Sequence, residues 1–485
     1  MLTKSNYLLG LQCPKLLWAK INDKKRFPKL SEVALAKFKE GELIGDLAKE
    51  LFPNGIDLSR LDFQENLEET KKVLEKKHPI FEAGFLVDEL FSRADILVPN
   101  GEEWDVLEVK SATKIKEVNL HDVSFQKFVY EKAGLKIKDC YLIHINNQYV
   151  KNGEIEPSEL FTKINITEEI REIEKGIEER INKMLELIKQ TEPKTQIGIQ
   201  CTNPYECQLK FDCWKEVPED SVHDFYRMLK KKTFELYDSG IKKIKDVPEE
   251  IKLNSKQQIQ KTLSQDEGIH ADKKGIQEFL ENLVYPIYYL DFETINPGVP
   301  MFDKMKPYQR IPFQYSLHIQ NEKAGELKHI SFLHEGTEDP KKSFLESLKQ
   351  NLGDSGTILV YNQSFEKGVL RESVEVNPEF EDWLEGINKR IVDLWDIFKD
   401  FKYYNPTQRG SASIKAVLPA MSDLSYKNLD IRKGDVASLE YKRVTYDEWI
   451  SNEERMLVRA QLEDYCCMDT LAEVEIINEL YKIIE

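Results

Sequence analysis

Over the first 80 residues the apolar positions recur at helical spacing. In VALAKFKEGELIGDLAKELFP, Leu43, Leu47 and Leu51 fall every four residues, and Pro53 with Gly55 stops the run. Between about 80 and 110 the period shortens to two. IFEAGFLVDELFSRADILV alternates apolar and polar residues, Pro99, Asn100 and Gly101 supply turn chemistry, and EEWDVLEVK reads as the return strand of a hairpin. A helix over about 121–133, a strand at CYLIHI and a long charged helix over about 167–190 follow, an alternation that predicts an α/β sheet. Residues 217–283 are Lys-rich and mostly helical, and read as a linker. A second α/β pattern starts at Tyr285, with strands in YPIYYLDFET, IPFQYSLHI and TILVYN and a closing helix over about 453–483. The expectation is a multidomain α/β protein divided as 1–216, 217–283 and 284–485.

Composition narrows the chemistry. A chain of 485 residues accommodates two or three domains at about 100–200 residues each. With 41% apolar and 32% charged residues it is neither disordered nor fibrous. No run approaches the roughly 20 apolar residues that span a bilayer, and MLTKSNYLLGLQCPKLLW lacks the pattern of a signal peptide. A cytoplasmic protein with no membrane partner is expected. Lys and Arg total 69 against 86 Asp and Glu, a net charge of −17, so attraction to nucleic acid must come from local basic patches or metal ions. Seven cysteines, an odd number without an export signal, point to metal binding rather than a disulfide framework.

With Asn100 and Gly101 at the centre of the turn, Asp95 faces Val106, and Glu108 and Lys110 share that face. Two carboxylates so placed can hold Mg²⁺ or Mn²⁺, and a nearby Lys can act on the water or the developing charge in phosphodiester hydrolysis. Gln126 and Tyr130 in HDVSFQKFVY lie one helical turn apart on a single face. The order RAD, LEVK, Q-x-x-x-Y resembles the PD-(D/E)XK nucleases of the RecB-like branch. That resemblance implies a restriction-endonuclease-like domain in which Asp95 and Glu108 bind metal, Lys110 assists catalysis, and Gln126 and Tyr130 line the site. The family's early-helix His is missing. Near Gly45, Glu42, Asp46 and Glu50 are the candidates for the fourth ligand.

CTNPYECQLKFDC sets Cys201, Cys207 and Cys213 six residues apart, and Cys13 in LQCPKLLW makes a fourth thiol. Four thiolates suit tetrahedral zinc or an iron–sulfur cluster, and the wide spacing favours the cluster. The pattern resembles RecB-like nucleases that carry a [4Fe–4S] cluster on one Cys before the nuclease core and three after it. Cys140 reads as core, and Cys466 and Cys467 as helix packing.

In YYLDFET, Asp291 and Glu293 project from one face of an apolar strand, where a cation explains the pair better than packing does. Glu366 follows Asn362 in the first turn of a helix, and Tyr465 and Asp469 are four apart in QLEDYCCMDT. This order resembles the DnaQ-like DEDDy exonucleases of RNase H-like fold, with Glu366 where that family has Asp. The resemblance implies two metal ions held by Asp291, Glu293, Glu366 and Asp469, with Tyr465 positioning the attacking water. Asp393 and Lys415 read as structural. LYDSGIKKIKDVP resembles half of a helix–hairpin–helix element, with ordinary packing the competing reading. The expected function is a metal-dependent nuclease acting on DNA with single strands or free ends, in repair, recombination or defence. The alternatives are an RNA-processing exonuclease and a non-catalytic nucleic-acid-binding scaffold.

Overall fold

The computed structural model describes residues 1–266 and 268–485. The chain is a multidomain α/β protein with mixed sheets that divides into two compact units. Unit 1 comprises Met1–Glu216 with Gly298–Tyr308, and unit 2 comprises Val217–Pro297 with Gln309–Glu485. Residues 217–283, read as a linker from sequence, thus belong to the body of unit 2. There Leu236, Ile244 and Val247 of LYDSGIKKIKDVP bury against Val222 and Phe225 around the turn at Gly240. Among the described residues no helix is long and apolar enough to cross a membrane.

Unit 1 is built on seven strands: β1 (Leu2–Thr3), β2 (Ile56–Asp57), β3 (Ile80–Val87), β4 (Leu90–Asn100), β5 (Glu103–Lys110), β6 (Ile137–Ile145) and β7 (Phe161–Asn165). Their order is β2-β3-β4-β5-β6-β7, with β1 parallel to the start of β4. The apolar–polar run read as one strand is two, because Asp88 takes a left-handed turn conformation and folds β3 back on β4. The β4–β5 hairpin also turns one position later than expected. Asn100 pairs with Glu103 and Ile96 with Leu107, so the same register carries Asp95 to face Glu108 rather than Val106. Alternation has a period of two, and this change moves the partner by two, so Asp95 and Glu108 still share a face.

One face of the sheet, including Trp104 and Val106, buries against the helix Glu117–Lys132 and the opening helix Lys4–Gln12. The opposite face packs under Ile44 and Ala48 of the helix Glu32–Lys49. The long helix expected over 167–190 is two, Thr167–Glu174 and Ile177–Leu187, separated at Gly176, whose φ of 76° breaks the helical path.

Unit 2 adds β8 (His270–Ala271), β9 (Ile287–Ile295), β10 (Ile311–Gln320), β11 (Leu327–Leu333), β12 (Thr357–Val360), β13 (Ile391–Asp393) and β14 (Tyr403–Tyr404). The main sheet runs β11-β10-β9-β12-β13, antiparallel on the β10–β11 side of β9 and parallel on the other. The C-terminal helix Asn452–Ile484 packs across β9, β10 and β11. It starts at Ser451, whose hydroxyl accepts the Glu454 amide and caps the first turn.

Candidate active sites and metal centre

Trp104, Val106, Glu108 and Lys110 alternate onto one face of β5, which places two ionisable side chains at the end of an apolar row. Glu108 is 2% exposed. On the helix above, Asp122, Gln126 and Tyr130 form a stripe at four-residue intervals. Lys110 Nζ donates to Glu108 and, at 2.7 Å, to Asp122. Gln126 Nε2 donates to Glu108 Oε2 at 2.6 Å, and Tyr130 OH donates to Gln126 Oε1 at 3.0 Å. Asp95 accepts the backbone N–H of Val109 at 2.9 Å. All five residues expected from sequence therefore meet in one network.

Two members of that network were not visible in the sequence. Asp122 sits one turn before Gln126, a spacing that could have pointed to it. Lys4 is the less expected one. Because β1 pairs with the start of β4, the residue that follows it comes down beside Asp95, and Lys4 Nζ donates to Asp95 at 3.3 Å and to both Glu108 oxygens at 3.1 Å. No local pattern around Lys4 marks this.

Burial, then the Glu108 charge, pushes the Asp95 carboxyl up to about 7. Burial opposes ionisation of Glu108 as well, but Lys110 and Lys4 outweigh it and hold that carboxyl well below the ordinary range. The site opens into a groove of about 1110 Å³, lined by Asp95 and Lys110 together with Lys37, Lys49 and Arg93. Glu42 and Asp46, two of the fourth-ligand candidates, line this groove, with Asp46 ion-paired to Lys49 at 2.7 Å; Glu50 does not line it.

Cys13, Cys201, Cys207 and Cys213 line a single small cavity of about 10 Å³ and are all unpaired thiols. Cys13 is positioned at the junction between the helices Lys4–Gln12 and Pro14–Asn22, with Pro14 opening the second. The later segment is fastened to it. Gln12 Nε2 donates to the carbonyls of Gln200 and Tyr205, and the Cys207 amide donates to the Cys201 carbonyl at 2.9 Å. Burial first, then the neighbouring thiols of Cys201, Cys13 and Cys213, push the Cys207 thiol up to about 11 against the lowering effect of the Leu209 amide. Four thiols gathered around one cavity are a soft donor set for a metal centre. Cys140 lies fully buried in β6, as core.

In unit 2, ligand oxygens of Asp291, Glu293 and Asp469 lie within 4.8 Å of one another. Asp291 and Glu293 come from β9 and Asp469 from the C-terminal helix, which crosses β9. Glu366 is 1% exposed and its Oε2 has no hydrogen-bond partner among the described residues. Its helix, Gln363–Val374, begins after Asn362 in a left-handed conformation. Asp393 accepts the N–H groups of Asn362 and Gln363 at 2.8 and 3.1 Å, so it fixes the turn that delivers Glu366.

Every carboxyl here is raised. Burial comes first for each, reinforced by the Asp469 charge at Asp291, by Asp291 at Glu293 and by Asp291 at Glu366, while burial alone drives Asp469. Glu473, one turn beyond Asp469, is a fifth buried carboxyl raised by burial and these neighbours, and it was missed. Lys415, read as structural from sequence, donates to Tyr465 OH at 2.8 Å, and its charge opposes the upward shifts of Asp291, Glu293 and Asp469. Tyr426, also missed, donates to Asp469 Oδ1 at 2.6 Å. Lys415 opposes the shifts of Asp291, Glu293 and Asp469 and Arg310 that of Glu366, yet all four stay raised, so the charge balance of the site calls for protons or divalent cations.

The fold and sites thus define a two-unit α/β protein with two acidic clusters and a four-cysteine centre. Comparison with known proteins gives a domain of unknown function, DUF2779, matching residues 288–413, a stretch that holds Asp291, Glu293 and Glu366 but ends before Lys415, Tyr465 and Asp469. The Uncharacterized protein MG366 homolog of Mycoplasma pneumoniae is 30% identical over 231 residues, 42% of this chain and 34% of that protein. The Uncharacterized protein MG366 of Mycoplasma genitalium is 29% identical over 220 residues, covering 41% and 32%. The chain therefore spans about a third of the length of the curated relatives it matches.

Proposed function

We propose that this chain is a metal-dependent nuclease that hydrolyses DNA phosphodiester bonds at two sites, a RecB-like PD-(D/E)XK site in unit 1 and a DnaQ-like 3′-to-5′ exonuclease site in unit 2. The observation that carries the reading is the convergence of Asp291, Glu293 and Asp469 within 4.8 Å beside an unpartnered, buried Glu366 oxygen. The strand order β11-β10-β9-β12-β13, with β9 central and antiparallel to β10, supports an RNase H-like fold for that unit. Asp95, Glu108 and Lys110 on adjacent strands, with Gln126 and Tyr130 above them, support the reading of unit 1.

Hard oxygen donors in both clusters fit Mg²⁺ or Mn²⁺, which when bound activate water and stabilise charge on the leaving oxygen. The chain's own groups supply the rest. In unit 1, Asp122 and Glu108 hold the Lys110 ammonium in place, and although burial opposes its charge, those carboxylates outweigh it and keep it protonated for contact with a developing oxyanion. In unit 2, the Lys415 ammonium donates to Tyr465 OH, and that hydroxyl in turn donates to the Asp469 carboxylate, which holds the phenol at the edge of the acidic cluster. The four cysteines suit a [4Fe–4S] cluster that joins the two ends of unit 1, closing a loop of nearly two hundred residues.

One observation favours a second reading for unit 1. The Lys4 ammonium occupies the space between Asp95 and Glu108, as in a scaffold that binds nucleic acid along its groove without cutting it.

The test is degradation of end-labelled single- and double-stranded DNA, and matched RNA, with Mg²⁺ or Mn²⁺. Wild type is compared with Lys110→Ala, Asp469→Ala and the double variant, all purified anaerobically. Each single variant is expected to lose a distinct product pattern and the double variant to lose all cleavage. Unchanged products in Lys110→Ala would leave unit 1 as the scaffold. Cleavage confined to RNA would reassign the substrate, and no cleavage of either polymer by wild type would overturn the nuclease reading.

A further inference from the structure

A third cluster of metal-ligating side chains lies in unit 2, apart from the carboxylates. His318 on β10 and His329 on β11 are direct cross-strand partners, with ring centroids 4.5 Å apart. Cys467 reaches them from the C-terminal helix, and one ligand atom from each of the three residues lies within 4.8 Å of the others. Cys467 and Thr470 are one turn apart on the helix face toward β10 and β11, whereas Tyr465 and Asp469 occupy the face toward the acidic site.

The hydrogen bonds around the two imidazoles decide which nitrogens are available. His318 Nδ1 contacts Thr470 Oγ1 at 2.8 Å, and His329 Nε2 contacts Ser316 Oγ at 3.0 Å. Ser316 Oγ and Thr470 Oγ1 are 2.7 Å apart, and Thr470 donates to the Cys467 carbonyl at 3.1 Å. Each hydroxyl has one proton. With the Thr470 proton on the carbonyl, Ser316 must donate to Thr470, so both contacts to the rings require the imidazole N–H to be the donor. His318 Nε2 and His329 Nδ1 are then left as bare lone pairs. A ring fixed by a hydrogen bond at one nitrogen and presenting the other is the usual state of a metal-binding histidine. Burial, then the adjacent His329, lowers His318 to about 4, which keeps it neutral at physiological pH.

We infer that His318, His329 and Cys467 form a separate binding site for a borderline-soft divalent cation, Zn²⁺ above all, which fastens the C-terminal helix to the β10–β11 hairpin. Two neutral imidazoles and a thiol match the donor preference of zinc and not that of Mg²⁺ or Mn²⁺. Glu463 lies one turn before Cys467, where its charge acts on His329, and it or a water completes the four positions. On binding, the thiol proton passes to solvent and the thiolate takes its place on the ion. Because the same helix carries Tyr465 and Asp469 on its other face, the ion would hold those two residues in register with β9.

Co²⁺ tests this directly, since cobalt bound to a thiolate absorbs in the near ultraviolet. EDTA-treated full-length wild type, His329→Ala and Cys467→Ser are titrated with Co²⁺ and then with Zn²⁺. Any signal from the four-cysteine centre is common to all three proteins and subtracts. Wild type is expected to show one further equivalent of cobalt–thiolate absorption, displaced by Zn²⁺ and lost in both variants. His329 is exposed on a strand at the sheet edge, so its truncation spares the core. Equal absorption in all three proteins overturns the site, as does a signal lost in Cys467→Ser and retained in His329→Ala. Nuclease activity does not enter the readout, so this inference and the proposed function fail separately.

Discussion

At the scale of single residues, charge is balanced differently in the two acidic sites. Asp95 and Glu108 have Lys4 and Lys110 as partners, so the pair is held without help from outside. Lys4→Met removes a cation facing two carboxylates and leaves them uncompensated. The metal-free protein is expected to lose about 1–3 kcal/mol, less than for a fully buried pair because Lys4 remains partly exposed. Millimolar Mn²⁺ should restore most of that, read as the melting temperature with and without metal; a variant as stable as wild type in EDTA would remove Lys4 from this role. Asp469→Asn works in the opposite sense. It deletes one of several buried like charges, so metal-free stability should hold or rise while exonuclease turnover on labelled DNA falls by at least about 100-fold. Asp95, Glu108 and Lys110 were legible from alternation across one hairpin, and Asp291, Glu293 and Asp469 from spacing within a single strand or helix. Lys4 and Tyr426 were not, because each joins a site through a contact between elements and a lone Lys or Tyr carries no periodic signal; Asp122 and Glu473 lie one helical turn from Gln126 and Asp469, a spacing that was overlooked.

At the scale of elements, the C-terminal helix and the cysteine segment do the positioning. The helix supplies Tyr465, Asp469 and Glu473 on one side and Cys467 with Thr470 on the other, so its rotation sets several contacts at once. The segment around Cys201, Cys207 and Cys213 has little regular structure: a three-residue 3₁₀ turn and a four-residue helix. Its order comes from hydrogen bonds to the opening helices and from whatever the thiols hold. Cys207→Ser should therefore lower bound iron in anaerobically purified protein and the melting temperature together. Protease sensitivity should rise first near residues 195–213, mapped by mass spectrometry of the fragments. Full iron content with wild-type melting would exclude a ligand role for Cys207. The C-terminal helix, expected over about 453–483, runs Asn452–Ile484, and Ser451 caps its first turn. The break at Gly176 and the turn at Asp88 were overlooked because periodicity continues across both and only the backbone dihedral reveals them.

At the scale of the whole molecule, buried acid dominates the response to pH. A carboxyl raised in the folded state binds more protons folded than unfolded. Its contribution to stability is therefore fully present at low pH and is lost as pH rises from about 4 through its folded value. For Asp95 the loss is complete near about 7, and Asp291, Glu293, Glu366, Asp469 and Glu473 act in the same direction. Glu108, held low, contributes stability above the ordinary carboxylate range that is lost only in stronger acid. Metal-free protein should consequently melt at lower temperature at pH 8 than at pH 5, and Mn²⁺ should flatten that slope. A profile in EDTA that is flat or rises with pH would show that the acids are not buried together. By itself the sequence determined the α/β class, the alternating faces that bring each pair of acids to one side, and the wide cysteine spacing, since these follow from periods of two and 3.6 and from residue chemistry. Only the tertiary structure decided which distant residues balance those charges, that 217–283 belongs to unit 2, and that two histidines and a cysteine meet. Those contacts join positions tens to hundreds of residues apart, and packing rather than local preference brings them together.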